Sequence, residues 1–324
     1  MHRLPRITPL LPVIAAARRP APLSMAASRA AATPVGGGAG GGEEGGEGLH
    51  SEEGDHYKNV SASYATAFFY TGEYEDWQKG HILRCLRLAP EQRLVDIGGG
   101  TGRFAHLLHE AAALQQEAVC VDPSASMLEE AAALEGVATE HCGGVEWASK
   151  PERYDRALIK EVVHHLTDDE LGTMYGGIFN QVLPKPLPSR RLTPLPLTAE
   201  LTAALAQLSA GGVCLTCTRP DIVEYPFFDA ALEVWKRQQP PMEHYVGIME
   251  RAGFSVSVEV ADYPATLGTE WWLEMVANRF WSTFSHFSDE ELAAGIEEIK
   301  ARHGGAESIS FTEKMVFITA TKPA

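Results

Sequence analysis

The stretch Leu94-Val95-Asp96-Ile97-Gly98-Gly99-Gly100-Thr101-Gly102-Arg103-Phe104 limits what this chain can fold into more than any other. A short apolar run ends in glycines, and helical spacing resumes over residues 103–113. In a strand–turn–helix unit of this kind, glycines let a ligand come close to the backbone. The first N–H groups of the helix face the same spot and favour a negative group. The pattern around it alternates. Residues 57–88 carry helical spacing, 93–97 and 118–122 read as strands, and a helix with Met127 and Leu128 follows. Further strands are expected at 154–159, 212–218, 254–260 and 314–320, with a helix over 241–252. Strands alternating with helices argue for an α/β fold with a mostly parallel sheet.

Spacing separates the two ligand classes that use such a turn. A dinucleotide fingerprint requires G-x-G-x-x-G, and its third glycine would fall on Arg103. The sequence instead offers D-x-G-x-G-x-G from Asp96 to Gly102. With the residues after it, this resembles motif I of the class I S-adenosylmethionine-dependent methyltransferases, and the order of later segments extends the likeness. Val119-Cys120-Val121-Asp122-Pro123 ends a second strand in an acid. Cys142 to Trp147 is a weaker third element, reading Gly143-Gly144-Val145-Glu146 where the family carries a Gly-Asp pattern. Residues 154–166, with Lys160 and the pair His164-His165, resemble the fourth strand and its turn. Ala210-Gly211-Gly212 and Arg251-Ala252-Gly253-Phe254 match later landmarks. The likeness covers about 90–182 and 207–262, with 314–320 as the last strand. It implies a Rossmann-like seven-stranded sheet with helices on both faces and S-adenosylmethionine as cofactor, the closest type being small-molecule methyltransferases of ubiquinone and menaquinone biosynthesis. Carried over residue by residue, it implies a cofactor site of Asp96, Gly98, Gly99, Gly100, Gly102, Asp122, Pro123, Met127, Val145 and Lys160. Asp122 would accept the ribose hydroxyls, since a carboxylate can take both. Met127 suits core packing as well as it suits an adenine contact.

The remainder sets boundaries. Residues 1–35 hold Ala, Arg, Pro and Ser with no acid, the composition of an organelle transit peptide for mitochondrion or plastid. A secretory signal, or a cytoplasmic product started at Met25, is the alternative. Residues 36–54 are a Gly/Glu-rich linker, and the methyltransferase domain is expected over 55–324. The proline-rich stretch 183–206 reads as an insertion without regular structure, and 268–305 as a helical addition that caps the sheet. The formal charge is -16, from 27 Lys+Arg against 43 Asp+Glu. Nucleic acid is a poor partner for such a surface, because tight binding draws on Lys/Arg neutralisation of phosphates. No run approaches the ~18–20 apolar residues of a membrane span. The spacing says nothing of oligomeric state.

Five cysteines are an odd number for a disulfide framework. Cys214 and Cys217, three apart on an expected strand, should point to opposite faces and pack rather than share a metal. No metal is expected. His164 and His165 are the catalytic candidates, because imidazole titrates near neutral pH and can orient or deprotonate an acceptor. One cap and one packed ring is the competing role. Aromatic residues precede the glycine turn and fill both 225–235 and 271–287. Most should form the core of the cap, while Tyr64, Tyr70, Tyr225 and Trp272 are candidates to line an acceptor pocket. Arg279 is a candidate partner for an acceptor carboxylate, or else a surface ion pair. The expected activity is methyl transfer to a small molecule. A regulatory protein that binds the cofactor without turnover, or a methyltransferase acting on protein side chains, is the alternative.

Overall fold

The structure is a computed structural model and describes residues 72–151, 153–181, 211–303 and 305–323. The expected transit peptide, the linker, the insertion at 183–206, and Tyr64 and Tyr70 lie outside the described residues.

The elements in chain order are α1 (Gly72–Leu86), β1 (Leu94–Ile97), α2 (Arg103–Ala112), β2 (Ala118–Asp122), α3 (Ala125–Ala131), β3 (Val137–His141) and α4 (Gly144–Ala148). They continue with β4 (Arg156–Lys160), a 3-10 turn (Val163–His165), α5 (Asp168–Gln181), β5 (Val213–Thr218), α6 (Asp229–Gln238) and α7 (Met242–Arg251). The chain closes with β6 (Ser255–Gly268), α8 (Thr269–Ala277), a second 3-10 turn (Ser282–His286), α9 (Asp289–His303) and β7 (Ser308–Thr321). The seven strands form one sheet in the order β3-β2-β1-β4-β5-β7-β6. Neighbours are parallel from β3 to β5, while β7 runs antiparallel to both β5 and β6. This is the expected Rossmann-like sheet.

Every residue of β1 and β5 is buried, so neither strand alternates between an inward apolar and an outward polar face. Alternation still assigns each side chain to a layer. Val95, Ile97, Ala157, Ile159 and Cys214 pack with residues of α4, α5 and α7. Leu94, Leu158, Leu215 and Cys217 pack with residues of α1, α2 and α3. Cys214 and Cys217 therefore occupy opposite layers, as the spacing required.

Two features position the site. The chain leaves β1 toward β2 and β3, then returns to place β4 on the other side of β1. Strand order reverses there, and open α/β sheets bind ligands at the carboxyl ends of the strands flanking such a reversal. The second feature is the length of the last hairpin. β6 and β7 pair over 14 residues each, from Ser255↔Thr321 to Gly268↔Ser308. β5 ends where Thr218 pairs with Val316. Residues 261–268 and 308–315 therefore project past the carboxyl edge as an arm of about 27 Å, at ~3.4 Å per residue. The strands expected at 254–260 and 314–320 are only the lower halves of these.

The arm carries a third apolar cluster. Tyr225, Phe227, Trp235, Trp272, Phe284 and Ile309 are among its buried members, with Tyr74 from α1. Phe227 stacks on Trp272 with centroids 5.6 Å apart, and Phe284 meets Phe227 edge-on at 4.8 Å. Each buried aromatic of this kind adds roughly 1.5–3 kcal/mol by removal from water. Between the two strands of this extended hairpin lie α8, the second 3-10 turn and α9.

Candidate active site

The glycine loop sits at the strand reversal. Gly98 N–H donates to Val121 O at 2.7 Å, and Gly102 N–H to Gly99 O at 3.0 Å. Gly100 has φ +55, a left-handed backbone that glycine adopts without strain, and a Cβ there would meet no protein atom within 4 Å. The loop is open at this point. Gly102 also has φ +70, but a Cβ there would lie 2.7 Å from Ala131 Cβ, so its glycine serves the approach of α2 to α3.

Two acids flank the loop on the α1–α3 side of the sheet. Asp122 ends β2; its Oδ2 accepts Gly100 N–H at 2.9 Å and its Oδ1 accepts Ser124 N–H at 2.8 Å. Each carboxylate oxygen has two acceptor positions, so one per oxygen remains, which is what a ribose diol requires. Burial raises the Asp122 pKa, opposed by those N–H groups. Asp96, in β1, is 2% exposed. Burial pushes its carboxyl up to about 7, Lys160 pulls it down, and Asp122 raises it further. Lys160 ends β4, with its Nζ 4.6 Å from the centre of the Phe104 ring.

The other expected cofactor residues lie along the same edge. Pro123 is exposed, and its carbonyl accepts from His141 Nε2 at 2.9 Å. Met127 is buried at 7% in α3, and Val145 lies half-buried in α4. Open space at Gly100, spare acceptors on Asp122 and glycines spaced as in motif I fit S-adenosylmethionine.

His164 and His165 form the 3-10 turn just past β4, their ring centroids 4.0 Å apart. That places both at the edge beside the loop. Val162 packs so closely on Gly98 that a Cβ there would collide with it.

The structure differs from the sequence reading at the proposed acceptor contacts. Trp272 is fully buried, with Nε1 donating to Pro226 O at 2.9 Å, and belongs to the core of the cap. Arg279 is held by Asp289 Oδ1 at 2.8 Å and by the carbonyl of Phe284, an ion pair that ties the cap together. Tyr225 is 4% exposed; its hydroxyl lies between Arg219 and Glu313.

Those last two residues were not singled out in the sequence, nor was Glu161. Arg219 follows β5 directly, and its Nε donates to Glu161 Oε1 at 2.7 Å. Its Nη1 donates to the Tyr225 hydroxyl at 2.5 Å and pairs with Glu313 Oε1. Tyr225 donates to Glu313 Oε1 at 3.0 Å. Burial works against ionisation of Glu161, but Arg219, Lys160 and His164 outweigh it and leave the pKa below the usual range. Glu161 has φ +58. A non-glycine residue there costs roughly 1–3 kcal/mol, and such strain gathers at functional sites. A usable signal existed: Glu161 and Arg219 are the first residues past the carboxyl ends of adjacent parallel strands.

Residues 94–185 match the family model described as a methyltransferase domain. No curated protein matches the chain. Among solved structures, the cyclase SpnF aligns with TM-score 0.51 and 14% identity over 84% of this chain and 95% of its own. The YcgJ protein of Bacillus subtilis aligns with TM-score 0.47 and 15% identity over 76% of this chain and 98% of its own. Haemonchus contortus phosphoethanolamine N-methyltransferase 2, solved with S-adenosylhomocysteine, aligns with TM-score 0.43 and 19% identity over 76% of this chain and 52% of its own. Neighbours at this identity speak to fold alone. The D-x-G-x-G-x-G turn, the acid ending β2 and the sheet order agree with the matched model: the chain carries a methyltransferase domain over residues 94–185.

Proposed function

We propose that the chain transfers the methyl group to a small molecule held between the glycine loop and the cap. The observation that carries this reading is the arm of β6 and β7, which raises an aromatic cluster past the carboxyl edge of the sheet. A roof of that kind leaves room for a compact acceptor and keeps water from the reacting atoms.

Residues 98–102 and Asp96 would hold the methionine portion, and Asp122 the ribose. Pro123, Met127 and Val145 would flank the adenine, while Lys160 holds Asp96 in place. When bound, S-adenosylmethionine supplies a methyl carbon on a good leaving group, so the protein's share of catalysis is positioning and exclusion of water. His164 or His165 orients the acceptor or takes its proton, as imidazole can near neutral pH. The acidic composition disfavours nucleic acid as acceptor. No helix of the described residues is long and apolar enough to cross a membrane.

The test is to incubate the full chain with methyl-labelled S-adenosylmethionine and a cell extract separated by size. Label in a small-molecule fraction supports the reading. Label confined to polypeptides would make the acceptor a protein. Cofactor binding without any label would turn the reading toward a regulatory binding protein.

A further inference from the structure

Beneath the arm lies a hollow of about 210 Å³, lined among others by Glu73, Tyr74, Tyr263, Pro264, Leu267 and Glu313. Its wall is unusual in charge. Arg219 draws one oxygen from each of two carboxylates, Oε1 of Glu161 and Oε1 of Glu313. Two acids share one guanidinium, and Lys160 and His164 act on Glu161 but are not the ion-pair partners of Glu313. Glu313 is 1% exposed, and its Oε2 is buried with no hydrogen-bond partner among the described residues. A buried carboxylate oxygen in that state is costly, and native structures rarely leave one unanswered. Glu73 adds a second acid to the lining, on the exposed side.

The missing partner must be a donor, and with Glu73 and Glu313 both in the lining a cationic donor suits it best. A divalent metal asks for several oxygen or nitrogen ligands, and no group of three His, Cys, Asp or Glu that could hold one is gathered among the described residues. The rest of the lining suits an organic cation. Tyr74 and Tyr263 stand with ring centroids 4.9 Å apart at 58°, and aromatic faces attract ammonium groups. Glu75, next to Tyr74, binds Arg103 at 2.8 Å. Arg103 opens α2 directly after the glycine loop, so this end of α1 stands at the cofactor edge.

We propose that the hollow receives a positively charged nitrogen, the ammonium end of an amine. Taken with the small-molecule reading above, on which this extension rests, the methyl acceptor is an amine or a molecule carrying one. The acceptor carboxylate for which Arg279 was a candidate is replaced by the opposite charge. Glu313 and Glu73 supply the attraction, the two tyrosines the walls, and Arg219 fixes Glu313 with one oxygen left for the ligand.

The experiment is calorimetric titration of the full chain, with S-adenosylhomocysteine present, by ethanolamine, protonated at neutral pH, and by its uncharged carbon isostere 1-propanol. Ethanolamine is expected to bind at least about tenfold more tightly than the isostere, the scale of a desolvated cation on aromatic rings. Glu73→Gln, on the exposed side of the lining, should weaken ethanolamine several-fold and leave 1-propanol unchanged. Glu313→Gln should abolish the preference. Should that variant fail to fold for want of its pairing with Arg219, Tyr263→Ala tests the same wall and should also lose the preference. Equal binding of the two probes, binding of neither, or a preference untouched by Glu73→Gln and Tyr263→Ala would overturn the proposal. Because the readout is binding, the two readings fail separately. Label passing into small molecules with no cation in the hollow would sink this inference alone.

Discussion

Gly100 and Gly102 have similar left-handed backbones, yet the structure gives them different reasons to be glycine, and alanine at each should separate those reasons. Both replacements carry the left-handed penalty of about 1–2 kcal/mol. At Gly102 the new Cβ would also stand 2.7 Å from Ala131 Cβ and 3.2 Å from its Cα, so α2 must lift from α3. Overpacking of that sort costs about 1–3 kcal/mol more. At Gly100 there is no protein atom within 4 Å to collide with. Gly100→Ala should therefore lower Tm by only a few degrees, at roughly 2–4 °C per kcal/mol for a domain this size. Gly102→Ala should lower it by about twice as much. Affinity should run the other way. The Gly100 methyl projects into the space assigned to the cofactor and should weaken S-adenosylmethionine more than tenfold, over about 1.4 kcal/mol. Gly102→Ala, below its melting point, should bind within a few-fold of wild type. Thermal unfolding and calorimetry on the same preparations read both quantities. Wild-type affinity in Gly100→Ala would refute the placement of the cofactor over this loop.

Other replacements test single contacts. Asp122→Ala should lower cofactor affinity more than tenfold, about 1.4 kcal/mol; Asp122→Asn should fall short of wild type too, since its amide must face an N–H now held by a carboxylate oxygen. The Asp96 carboxyl has its folded pKa raised from 3.8 to about 7, so between those values the folded state holds a proton that the unfolded chain has lost. Stability on this account falls as pH rises through that window and is level above it. Urea unfolding at about pH 5 and about pH 8 should show wild type losing up to about 2–3 kcal/mol relative to Asp96→Asn. Joint replacement of His164 and His165 by alanine should lower kcat far more than cofactor affinity, and unchanged turnover would remove both from the mechanism. Trp272→Ala should destabilise by about 3–5 kcal/mol as a core truncation. Arg279→Ala should cost at most about 1 kcal/mol and leave acceptor KM alone, as expected of a partly exposed ion pair.

The glycine turn, Asp122 and the opposed cysteines could be read from sequence because each depends on local spacing. The length of the last hairpin could not. Pro264 and Gly268 look like the end of a strand, yet β6 is an edge strand, where proline's missing N–H breaks no ladder. Stopping the strands early hid Glu313, which pairs across the arm with Tyr263. Arg219 and Glu161 come from different strand ends, so their pairing exists only once β4 and β5 lie side by side. Aromatic composition likewise cannot separate a pocket wall from a core, and Trp272 proved to be core. Arg279 and Asp289 meet across a turn of the cap that no periodicity marks.

The most direct test of the account is a crystal of the full chain grown with S-adenosylhomocysteine. The account requires the ribose hydroxyls on Asp122, backbone over Gly100 against the ligand, and the sulfur facing His164, His165 and the wall of Glu161 and Arg219. Density for the ligand away from residues 98–102, or a sulfur turned from the arm, would contradict it.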